Sequence, residues 1–262
     1  TNVTYLGLRI VAYTKDSAEA MAKYLRSSKH LQRIQWNEPS SRDDRALRHY
    51  EEMLCCFLAA IQKSTSIEQL DMELPRRGGP SKLAFENMLT HTKSLRSVSL
   101  TFPYGLPEDW AIAAASSGLK KNTTLQELTL VVPQGATTVS SLFTSLRDHP
   151  SLRRLCLRGH VVDLIGLETL LLSGTSKCTE LEIHWYDESF ELIFQALARR
   201  PTLTKLGLRG FNLGPDEARL LCMALRNMPS LQSLILENND LGSAELVELA
   251  PALYHNESIE VL

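Results

Sequence analysis

The 262-residue sequence lacks the patterns that usually announce chemistry. It contains no GxxxxGK, GxGxxG, HExxH or GxSxG, and the run RRGGPSK at 76–82 does not have the spacing of a phosphate-binding loop. No catalytic residue, cofactor or metal is therefore expected. Cysteines are few and odd in number. Cys55, Cys56, Cys156, Cys178 and Cys222 show neither CxxC spacing nor flanking pairs, which argues against a disulfide framework and for a reducing compartment. No stretch approaches the roughly 18 uninterrupted apolar residues of a membrane span. The start, TNVTYLGLRI, has neither the basic region nor the apolar run of a secretory leader. Intracellular, cytoplasmic residence is the expectation, and the missing initiator Met suits a fragment of a longer protein. Three sequons begin at Asn2, Asn122 and Asn256, but NTTL and NESI are also how two repeats enter their strands. A net charge of -2, with 44% hydrophobic and 22% charged residues, describes a folded chain without global attraction to nucleic acid or anionic membrane. No Gly/Ser/Pro-rich linker or low-complexity tract divides it.

What is present is a repeat. Leu231–Leu241, LQSLILENNDL, states it most fully: Leu231, Leu234, Leu236 and Leu241 follow LxxLxL…L, and Asn239 stands three residues after the third leucine. Residues two apart on a strand share a face, so Leu234 and Leu236 should point inward while Ser233, Ile235 and Glu237 point outward. An Asn at the following turn can bond the backbone of a neighbouring coil, because its amide both donates and accepts. The first apolar residues of successive strand motifs are Val3, Leu31, Ile67, Leu95, Leu125, Leu152, Cys178, Leu203, Leu231 and Ile259. Their spacings are 28, 36, 28, 30, 27, 26, 25, 28 and 28 residues, long enough for a helix on each return path. Helical spacing is explicit in Ser17–Leu25 and in Pro215–Leu225, with Ala18, Met21, Ala22 and Leu25, and Ala218, Leu221, Cys222 and Leu225, on the apolar faces. Pro215 and Pro107, each followed by acids, mark helix starts, and Pro150, Pro201 and Pro229 mark stops. The second repeat is longest: NEPSSRDD at 37–44 reads as a surface loop and Asp44–Gln62 as an extended helix, in which Cys55 and Cys56 read as core.

LxxLxL followed by a helix, at a period near 28, resembles the ribonuclease-inhibitor-like class of leucine-rich repeat proteins, over essentially the whole chain. The resemblance implies a right-handed α/β solenoid or horseshoe, with parallel strands on the concave face and helices on the convex face. The expected organisation is one domain, 1–262, of nine full repeats and a partial tenth. The class includes ribonuclease inhibitor, Ran GTPase-activating protein, the ligand-sensing parts of NLR receptors and substrate adaptors of ubiquitin ligases. A departure from the pattern is that the Asn position holds Phe211, Tyr186, His160, Pro133, Pro103, Pro75, Pro39 and Val11 elsewhere, so no ordered Asn ladder is expected.

A protein-interaction scaffold is the expected function, because stacked repeats provide an extended recognition surface. A Ran-type GTPase-activating domain, or the recognition part of a ligase adaptor or NLR-type receptor, is the alternative. The outward strand positions carry six basic and six acidic residues in all, too balanced to track phosphates, so no nucleic-acid partner is expected. Their order is informative. Arg154 and Arg158 adjoin Glu180 and Glu182, which adjoin Lys205 and Arg209, followed by Glu237; neighbouring rows of opposite sign can pair laterally. His184 and Trp185 end the middle strand. Arg and Trp are enriched in binding hot spots, so Arg154, Arg158, Glu180, Glu182, His184, Trp185, Lys205, Arg209 and Glu237 form the candidate binding centre, in which Trp185→Ala should cost a partner about 2 kcal/mol. Cys156, His184 and Glu182 are also the residue types of a thiol nucleophile, base and orienter, but an open strand face excludes no water, and no enzymatic role is expected. Because the sequence stops at ESIEVL within a tenth strand motif, a further chain segment or a partner is expected at the edge near Leu262.

Overall fold

A computed structural model describes residues 3–9, 14–37, 44–75, 79–102, 110–132, 139–159, 164–173, 176–184 and 191–261. The chain divides into two compact units, 1–131 and 132–262. The first holds β1 (Tyr5–Arg9), α1 (Lys15–Ser27), β2 (Arg33–Asn37), α2 (Asp44–Lys63), β3 (Gln69–Glu73), α3 (Ser81–His91), β4 (Ser97–Thr101), α4 (Trp110–Lys121) and all but the last residue of β5 (Glu127–Val132). β1 to β5 pair in sequence order and in parallel, which aligns Leu6, Ile34, Leu70, Val98 and Leu128 in one row. The last four of these are fully buried, and β2 and β3 alternate outward and inward residues as a half-covered strand must.

The second unit holds α5 (Ser140–Leu146), β6 (Arg154–Gly159), α6 (Leu164–Leu172), β7 (Glu180–His184), α7 (Glu191–Leu197), β8 (Lys205–Arg209), α8 (Pro215–Leu225), β9 (Ser233–Ile235) and α9 (Ser243–His255). β6 to β9 are again parallel and in order, with Leu155, Leu181, Leu206 and Leu234 in register and buried. Val261 adds a parallel bridge to Ser233. Strand, helix and return recur in both units, and the chain is an α/β leucine-rich repeat solenoid.

The predicted helices at Ser17–Leu25 and Pro215–Leu225 are present as α1 and α8, with Ala18, Ala22 and Leu25, and Ala218, Leu221, Cys222 and Leu225, buried. The extended helix of the second repeat is α2, 20 residues long. Its core face runs through Tyr50, Met53, Leu54, Phe57, Leu58 and Ile61, a spacing that leaves Cys56 exposed rather than in the core. The loop at 38–43 and the helix start at Pro107 lie outside the described residues. Asn239 does what its position implies: buried, it donates from Nδ2 to Leu208 O at 2.7 Å and accepts from Phe211 N at 2.7 Å.

A second ladder, not anticipated from the leucine pattern, stands three residues before the strand anchors. In the first unit Ser28, Ser64, Thr92 and Asn122 accept the backbone N–H of Leu31, Ile67, Leu95 and Leu125. In the second unit His149 accepts from Leu152, and Asn256 from Ile259. Each satisfies a donor that the end of a helix and the start of a strand would otherwise leave buried. Asn122 is 1% exposed and also donates to Leu89 O at 2.6 Å, so its sequon is closed to glycosylation in the folded chain. Arg200 holds the same position one repeat before Met228. It is buried and donates to Ser173 O and Cys178 O at 2.9 and 2.7 Å, tying two turns together.

Candidate protein-binding face

β6, β7 and β8 present three outward rows because their register is unbroken. Arg154, Glu180 and Lys205 are aligned at the strand starts, Cys156, Glu182 and Gly207 at the middle, and Arg158, His184 and Arg209 at the ends. The structure thus brings together all the predicted site residues on these strands. Glu237, just past β9, joins them by pairing with Arg209. Trp185 lies outside the described residues.

Glu182 is the hub. Its Oε1 accepts from His184 Nε2 at 2.8 Å and from Arg209 Nε at 3.1 Å, and its Oε2 accepts from Arg154 Nη2 at 3.3 Å. Arg154 Nε also lies 3.9 Å from Glu180 Oε2. The sequence pattern placed Glu182 and Cys156 outward, and the register does so, yet they are only 7% and 3% exposed. Long neighbours from both flanking strands fold over them. Gly207 leaves room for this: a Cβ there would stand 2.9 Å from Glu182 Cγ, so a larger residue would have to push the Glu182 side chain from its place. Burial acts to raise the Glu182 pKa, but the hydrogen bond and charge of His184, with Arg209 and Arg154, outweigh it and hold the group below the ordinary carboxylate value. The carboxylate is therefore ionised and saturated, and it fixes the side chains above it.

Cys156, Glu182 and His184 bring their ligand-capable atoms within 4.8 Å of one another, the residue types of a soft-metal site or of a thiol nucleophile with its base. Neither chemistry suits the surroundings. Burial pushes the Cys156 thiol up, against the hydrogen bond and charge of Arg158, so the reactive thiolate is disfavoured. The carboxylate oxygens are committed to Arg154, His184 and Arg209, and the two guanidinium charges oppose a divalent cation. What the face offers is a rigid, pre-formed array of charged side chains over a buried anion.

The first unit carries a smaller counterpart. Arg33 donates to Asp71 Oδ2 from Nε and Nη2 at 2.9 and 2.7 Å and stacks 5.5 Å from the Tyr5 ring centre, while Tyr5 OH donates to Gln35. The same signal, opposite charges on adjacent rows beside an aromatic, was available in the sequence for this cluster.

No protein-family model matches the chain. A Caenorhabditis briggsae protein named as a homolog of protein phosphatase 1 regulatory subunit 37 is 25% identical over 219 residues, covering 78% of this chain and 23% of its own length. The chain thus spans about a quarter of that relative. Among solved structures, the leucine-rich repeat-containing protein LegL7 of Legionella pneumophila superposes with a TM-score of 0.62 at 14% identity, over 99% of this chain and 82% of that one. The TLR13–ssRNA13 complex matches at 17% identity and a TM-score of 0.46, over 95% of this chain and 35% of that one. The likeness to LegL7 shows the fold alone. Among the described residues no helix is long and apolar enough to cross a membrane.

Proposed function

We propose that the chain is a non-enzymatic protein-recognition module whose binding centre is the outward face of β6, β7 and β8. The observation that carries this reading is the buried Glu182, which clamps Arg154, His184 and Arg209 in place before any partner arrives. Pre-ordered side chains lose little entropy on binding, and arginines held in this way make strong anchors. Relatedness to a protein named as a phosphatase regulatory subunit supports a role exerted through binding, and makes protein phosphatase 1 the first partner to test. The five free cysteines and the closed sequon at Asn122 support work in a reducing, cytoplasmic setting.

The test compares three immobilised proteins: the wild type, the face variant Arg158→Glu/Lys205→Glu, and a control reversed on α8, Arg219→Glu. Partners captured from lysate, and purified protein phosphatase 1 offered alone, are quantified by mass spectrometry. Retention by wild type and control with loss on the face variant is the expected result. Equal retention by all three would reject this face.

A further inference from the structure

The three carboxylates on this face are already engaged: Glu182 by Arg154, His184 and Arg209, Glu180 by Arg154, and Glu237 by Arg209. Two of the four full cations are not. Among the described residues, exposed Arg158 bonds the neutral thiol of Cys156 and no carboxylate, and Lys205 has no carboxylate at ion-pairing distance. Among the described residues four cations against three carboxylates leave the face net positive by one, and Arg158 and Lys205 are the two cations that no carboxylate engages.

Their separation follows from the register. Arg158, next to the end of β6, lines up through His184 with Arg209, while Lys205 begins β8 four positions before Arg209. Two strand spacings of about 4.8 Å and four residue rises of about 3.3 Å place them at opposite corners, roughly 16 Å apart. An extended chain covers that diagonal in about five residues, and because alternate side chains share a face the two contacts fall about four or six residues apart. The segment would cross above Glu182, which does not repel it strongly because its charge is matched by three donors and lies below the surface.

We infer that the partner contributes an extended acidic segment, with two carboxylates about four or six residues apart on one side, laid diagonally across β6, β7 and β8 to pair with Arg158 and Lys205. This rests on the reading of the face as the binding centre and adds the chemistry of what it binds. Direct pairing with two cations that no carboxylate engages among the described residues needs no rearrangement of the hub. Charge complementarity of this kind sets specificity and orientation. It also explains why a face with balanced composition can still prefer one sign: the acids are spent and two bases are not.

A random 12-residue peptide library displayed on phage and selected on the intact folded chain tests this blind. Wild type should enrich peptides with two acidic residues about four or six apart. A fluorescein-labelled consensus peptide should lose about ten-fold or more in affinity on Arg158→Glu/Lys205→Glu, and equally when its own acids become Gln or Asn. Lys in place of those acids should restore binding to the reversed protein. Arg158→Gln/Lys205→Gln serves as a milder variant, and unchanged thermal melting shows that both remain folded. Enriched peptides without acids that are still lost on the face variant would overturn the acidic segment and leave the face standing. Acidic peptides indifferent to the variant would overturn both, and an absence of enrichment would overturn the acidic segment. A U12 RNA oligonucleotide that binds as tightly, with the same dependence on Arg158 and Lys205, would transfer the site to phosphates and overturn the inference.

Discussion

Replacing His149 by asparagine should remove a specific acid sensitivity from the second unit. His149 is 3% exposed and its Nδ1 accepts from Leu152 N at 3.1 Å and Ser151 N at 3.4 Å, so the ring is neutral with its proton on Nε2. Nε2 has no hydrogen-bond partner among the described residues, and burial lowers the pKa from the ordinary 6.5 to about 4. Above pH 6.5 neither folded nor unfolded chain binds the proton, and the full stability is present. As pH falls from 6.5 towards 4 the unfolded chain takes up a proton that the folded one refuses, so stability is lost; below about 4 both bind it and the loss stops. At about 1.4 kcal/mol per pH unit the loss is about 2 kcal/mol at pH 5 and about 3 kcal/mol in total. Asn122 shows that asparagine performs the same task in the first unit, accepting from Thr124 N and Leu125 N at 2.8 Å each. His149→Asn should therefore be close to wild type at neutral pH and more stable by about 2 kcal/mol at pH 5. Urea unfolding of both proteins at the two pH values measures this, and parallel pH dependence would refute the reasoning.

Three other substitutions or probes have definite outcomes. Gly207→Ala should displace Glu182, costing roughly 1–3 kcal/mol of stability by urea unfolding and weakening partner binding, because the new Cβ would press on Glu182 Cγ. Asn239→Ala removes two 2.7 Å hydrogen bonds between coils and should cost roughly 2 kcal/mol by the same measurement. Maleimide labelling of the native chain should modify Cys56 first. Cys156, Cys178 and Cys222 are buried and should react only on unfolding, with the Cys178 thiol further restrained by burial that pushes it to about 11.

The solenoid was legible because its cause is local: LxxLxL fixes which side chains face inward, and that pattern places Leu155, Leu181, Leu206 and Leu234 in one row. The charge order of the candidate site was legible for the same reason, since a parallel register maps sequence offsets directly onto neighbours. The burial of Glu182 was not. It depends on how Arg154, His184 and Arg209 bend over it and on the space left by Gly207, and alternation alone treats every outward residue as exposed. The strand-entry ladder was missed for a different reason. Ser28, Thr92, Asn122 and His149 share a position and a role but not a residue type, and Arg200 before Pro201 reads as a surface charge until its two carbonyl partners are seen.

Arginine-selective modification by phenylglyoxal, read residue by residue with and without a bound partner protein, tests the binding face most directly. Arg158 and Arg209 on the second unit's strand face should become protected, while Arg33 on the first unit's strands and Arg219 on α8 remain as reactive as in the free chain. Protection of Arg219 or Arg33 with Arg158 and Arg209 unchanged would contradict the account.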